Sequence, residues 1–61
     1  MTKDQFYKRV LLSLVASFRW RAPASLPRVV TDYYYDCELA PYDAAKDINE
    51  AHLALSALRK G

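Results

Sequence analysis

The sequence predicts an all-α fold: three short helices, over about residues 3–21, 25–38 and 43–60, arranged as a small bundle or an intertwined helical dimer in a single domain, 1–61. Three observations predict it. Apolar residues recur on a period near 3.6 in each segment. All three prolines, Pro23, Pro27 and Pro41, fall at the two breaks between segments, where proline disfavours continued helix. The one glycine is the last residue, Gly61, so no segment carries an interior breaker.

The first segment organises the rest. Tyr7, Val10, Leu11, Leu14, Val15 and Phe18 share one broad arc of a helix, and Lys8, Arg9, Ser13, Ser17 and Arg19 fall mostly outside it. Thr2 followed by Gln5 fits a capping box, which starts the helix at about Lys3. Pro23 then predicts its end near Arg21 or Ala22. Leu12, Ala16 and Trp20 form a second, narrower apolar line at i, i+4, i+8, flanked by Arg9 and Arg19. In one reading Trp20 folds back onto the following loop and Leu12 is an ordinary exposed leucine. In the other, Arg9, Leu12, Ala16, Arg19 and Trp20 bind a second copy or another protein, because Trp and Arg often anchor interfaces.

In the second segment Ser25 reads as a helix cap, with Leu26 and Pro27 in the first turn. Leu26, Val29, Val30, Tyr33, Tyr34 and Cys37 then share an inner face, opposite Arg28, Thr31, Asp32 and Tyr35. Val29 to Thr31 and Tyr33 to Tyr35 are also strand formers. A strand over 29–37 would need the same segment of another subunit as its partner, since nothing else in the chain reads as a strand.

Leu39 to Tyr42 form the second break, with Pro41 as a stop. Asp43 suits the positive end of a third helix, Arg59 and Lys60 its negative end, and Gly61 its close. Ala44, Ile48, Ala51, Leu55 and Leu58 make the predicted buried line, with Ala45 and His52 on its shoulder and Leu53 off it.

Composition narrows what stabilises so short a chain. A domain of 61 residues buries only about 60% of the surface its unfolded chain exposes. One cysteine excludes an internal disulfide, and one cysteine plus one histidine cannot complete a four-ligand zinc site, so neither a metal nor a cofactor is implied. Of the usual supports for small scaffolds, self-association remains, and a hydrophobic share of 52% points the same way. Low cysteine use suggests a reducing compartment, which makes the cytoplasm the expected location. Lys3, Lys8 and Arg9 before Val10–Phe18 faintly outline a signal peptide, but Asp4, Ser13 and Ser17 interrupt the pattern. The apolar run is also far short of the roughly 20 residues a membrane span needs, and no membrane partner is expected.

Charge is unevenly distributed. Residues 1–30 carry Lys3, Lys8, Arg9, Arg19, Arg21 and Arg28 against Asp4, a balance of +5. Residues 31–61 carry Asp32, Asp36, Glu38, Asp43, Asp47 and Glu50 against Lys46, Arg59 and Lys60, a balance of −3. Such asymmetry favours packing one part against the other, within a molecule or between molecules.

No catalytic constellation is visible. His52 has no nucleophile at a recognised spacing, and Cys37 reads as a small hydrophobe on the inner face or, alternatively, as a disulfide across a dimer axis. The carboxylate pairs Asp32/Asp36 and Asp43/Asp47 share helix faces without the turn of a calcium loop. Tyr33 and Tyr34 would border the core, with Tyr35 facing out. The chain is thus expected to be a non-enzymatic helical interaction module, a regulator or inhibitor that occupies an unidentified protein partner's surface and forms a homodimer. Very small helical proteins of this kind include products of phages and mobile elements. The rival expectation is a small nucleic-acid-binding regulator using Arg19, Arg21 and Arg28, with Trp20 between the first two as a stacking surface.

Overall fold

A computed structural model describes residues 1–60 and contains three helices, α1 (Lys3–Phe18), α2 (Arg28–Asp36) and α3 (Pro41–Lys60). No strand occurs among the described residues, so residues 29–36 are helix, Cys37 is in the turn that follows, and the segment is not an intersubunit strand. Gly61, expected to close α3, and the Lys60 side chain lie outside the described residues. No helix among the described residues is long and apolar enough to cross a membrane.

The capping box forms as its residues imply. The Thr2 hydroxyl accepts from the Gln5 N–H at 3.1 Å, and the Gln5 amide oxygen accepts from the Thr2 N–H at 3.0 Å. The other end comes earlier than the proline rule suggested. Arg19 takes a left-handed conformation, φ 60°, and the N–H groups of Arg19 and Trp20 both turn back to the Leu14 carbonyl. Helix α1 therefore stops at Phe18 rather than near Arg21, because the chain reverses to lay Trp20 on α3.

Helix α2 begins three residues later than expected. Ser25 does not cap it, and Pro27 stands at its start without any side-chain cap. Two causes agree. Pro27 disfavours helical geometry at Leu26, and Tyr7 captures the Leu26 backbone, its hydroxyl donating to the Leu26 carbonyl at 3.0 Å and accepting from the Leu26 N–H at 3.4 Å. The buried face is also rotated from the one expected. Thr31 is fully buried, with its hydroxyl donating to the Arg28 carbonyl, while Val29, Tyr33 and Cys37 are exposed. Tyr35 points inward, its ring edge-to-face with Phe6 at 5.6 Å, so the outward tyrosine is Tyr33. A small buried threonine lets α2 approach α1 more closely than the larger Val29 and Tyr33 would, and it leaves the rings to close the rim.

At the second break Pro41 starts α3 instead of stopping a helix, the first-turn position where its missing N–H costs nothing. Asp43 lies in that first turn, as its charge favours. The core comprises Phe6, Val10 and Leu14 of α1 with Ala44, Ala45 and Ile48 of α3. The two alanines bring the α1 and α3 backbones close together. Beyond Asn49 the expected buried line fails: Ala51, Leu55 and Leu58 are all exposed. Length explains this, because 20 residues make a helix about 30 Å long, against about 24 Å for the 16 residues of α1. The chain reversal after Phe18 then leaves the second half of α3 with nothing to pack on except Trp20.

Candidate functional site

The five residues singled out on α1 separate into two places. Leu12 is 67% exposed, and Ala16 and Arg9 are exposed beside it on the side of α1 opposite Val10 and Leu14. Trp20 is not the third member of that line, because the helix has already ended. Instead its indole N–H donates to the Asn49 side-chain oxygen at 3.0 Å, and its ring lies 5.0 Å from that of His52. Trp20 is half-buried on α3, not on the following loop as the folded-back reading had it, while Leu12 stays on the surface.

Around Trp20 the reversal builds a recess of about 370 Å³ lined by Phe18, Arg19, Trp20, Arg21, Asn49, His52 and Leu53. Asn49, His52 and Leu53 belong to one face of α3 at i, i+3, i+4. The sequence holds that spacing, but nothing in it assigns the face to Trp20. His52, expected on the shoulder of the α3 core line, is exposed and its ring is tilted against the indole. Arg19 and Arg21 have no carboxylate within ion-pair distance among the described residues.

Arg28 does not join them. Its guanidinium pairs with Asp4 at 3.2 Å and lies 4.6 Å from the centre of the Tyr7 ring. Lys8 also pairs with Asp4 at 3.2 Å, and the hydrogen bonds and charge of Lys8, then of Arg28, hold the Asp4 carboxyl below its ordinary range. Arg28 is thus anchored at the first turns of α1, and the remaining length of α1 sets it about 20 Å from Arg19. The three-arginine patch expected from the sequence is two separate sites.

Two acidic groups lie away from the recess, beside the first turns of α1. Asp36 and Glu38 border an open cleft of about 650 Å³, together with Met1, Phe6, Leu39 and Pro41. Lys3 reaches Asp36 at 3.7 Å. Glu38 takes the left-handed conformation, φ 62°, that ends α2, and the N–H groups of Glu38 and Leu39 bond back to the carbonyls of Tyr35 and Tyr34. This double bond-back fixes the α2–α3 turn as a Schellman motif. Cys37 lies in the same turn, exposed rather than on the inner face. Further along, the Tyr34 hydroxyl donates to the Asp47 carboxylate, which, with burial, raises the Tyr34 pKa to about 12.

Among the described residues no group of three or more His, Cys, Asp or Glu is placed to hold a metal ion. Comparison with protein-family models, with curated proteins and with solved structures finds no match to this chain.

Proposed function

We propose that this chain is a non-enzymatic helical interaction module that acts by covering a partner's surface and that self-associates. The observation that carries the reading is an excess of exposed surface together with large apolar side chains left uncovered. The chain exposes 4616 Å², whereas a folded monomer of 7.0 kDa is expected to expose about 4,000 Å². Its radius of gyration is 11.5 Å, against about 10.5 Å for a compact chain of this length. Large apolar side chains left uncovered include Leu12 on α1, Val29 and Tyr33 on α2, and Leu53, Leu55 and Leu58 on the far half of α3.

The test is charge insertion at uncovered positions. Leu12→Glu and Leu53→Glu each replace a side chain that is more than half exposed, so each should shift folding stability by less than about 0.5 kcal/mol. Helicity by circular dichroism is expected to stay unchanged, while the retention volume in analytical size exclusion moves to that of the monomer for at least one of them. Unchanged association in both variants would refute the reading. The placement of Arg28 removes support from the nucleic-acid alternative, since two arginines remain together where three were expected.

A further inference from the structure

We infer that copies of this chain associate head to tail, the recess around Arg19 and Trp20 of one molecule receiving the Glu38-Leu39 turn of the next. The inference rests on the self-association proposed above and names its surfaces. Chemical complementarity comes first. The recess is lined by Arg19 and Arg21, which have no carboxylate within ion-pair distance among the described residues, by the His52 imidazole and by Phe18, Trp20 and Leu53, with no acid among its described lining residues. The turn offers the carboxylate of Glu38 next to the exposed side chain of Leu39, with Asp36 alongside. The two features occupy opposite ends of α1, about 20 Å apart, so the contact has to form between molecules.

Backbone geometry gives an independent argument. Arg19 and Glu38 are the two described non-glycine residues at positive φ. Both end helices at the position where glycine is the default, and a side chain there carries a steric cost. The chain accepts that cost twice, placing a cation at one end of the molecule and an acid at the other. Strained positions of this kind concentrate where a side chain has a role besides folding. The turn is also held by its two backbone hydrogen bonds before any contact forms, so docking orders little new chain.

An acidic segment suits the recess better than a nucleic acid does. The indole is half-buried, with the His52 ring tilted against it at 5.0 Å and its N–H already bound to Asn49, so less of the ring is open to a stacked base. A contact made by one surface of each molecule with a different surface of the next is heterologous, and produces rings or open chains instead of a closed two-fold dimer.

Arg19→Gly and Glu38→Gly give the sharpest test, because folding and association should move in opposite directions. Each is expected to raise the thermal midpoint by a few degrees, through relief of the left-handed side chain, and to weaken association measured by light scattering about tenfold or more. Arg19→Glu and Glu38→Arg should each be monomeric alone, and an equimolar mixture should associate again. Association that is unaffected by all four variants would overturn the head-to-tail contact while leaving self-association standing. A wild-type chain that stays monomeric at every concentration would overturn both. Binding of a single-stranded oligonucleotide that is lost in Arg19→Glu would assign the recess to nucleic acid and also overturn the inference.

Discussion

Leu14→Ala is expected to remove most of the folding stability of this chain. Leu14 has no accessible surface and sits among Val10, Ala44, Ala45 and Ile48 in a core of six apolar side chains. A buried leucine cut to alanine costs about 2–5 kcal/mol, the spread reflecting how far neighbours collapse into the space. Alanines on the facing helix already bring the backbones together, leaving little further movement to fill the hole. Total stability for a domain of this size is about 3–9 kcal/mol, so the loss is a large share of it. The expected result in a urea titration is a midpoint shifted strongly downward, with a measurable unfolded fraction in buffer. A shift equivalent to under about 1 kcal/mol would mean that this core does not hold the fold.

Much of that core is legible in the sequence. Val10 and Leu14 lie on the apolar arc of α1 and Ala44 and Ile48 on that of α3, and periodicity alone identifies all four. The capping box is legible as well, because it needs two residues at fixed spacing and no tertiary partner. The face of α2 is not. Over nine residues Val29, Tyr33 and Tyr35 compete for the same interior, and the deciding factor is the close approach allowed by Thr31, a polar residue that hydropathy assigns to solvent. The end of α1 and the far half of α3 are illegible for a related reason. Whether Leu55 and Leu58 are buried depends on where α1 stops, and that is set by an indole finding Asn49 and His52 some 29 to 32 residues away. Arg19 and Glu38 carry no sequence mark of left-handed geometry, because that mark is ordinarily a glycine.

Trp20→Ala is the second large effect, and it separates a fold anchor from a free interface residue. The indole is half-buried and spends its N–H on Asn49, so removing it takes away ring packing, the contact with His52 and a hydrogen bond together. Full burial of a tryptophan would make the loss about 3–5 kcal/mol, and half burial scales this to about 2 kcal/mol. In a domain of this length that corresponds to a thermal midpoint lowered by about 10 °C. Trp20→Phe keeps most of the ring and loses the N–H, so its cost should be about 1 kcal/mol, close to that of Asn49→Ala. Weaker association is expected as well, because the recess loses its floor. A Trp20→Ala protein of unchanged stability would show that the indole does not tie the end of α1 to α3.

The surface left bare by a short α1 and a long α3 is the premise of the interaction module, and the recess of the head-to-tail contact takes in its Leu53. Sedimentation equilibrium of the unmodified chain, from about 1 μM to about 1 mM, tests that premise most directly. The weight-average mass is predicted to rise with concentration from the 7.0 kDa of the monomer to at least twice that value, without levelling at a closed dimer. A mass that holds at the monomer value over the whole range would contradict it.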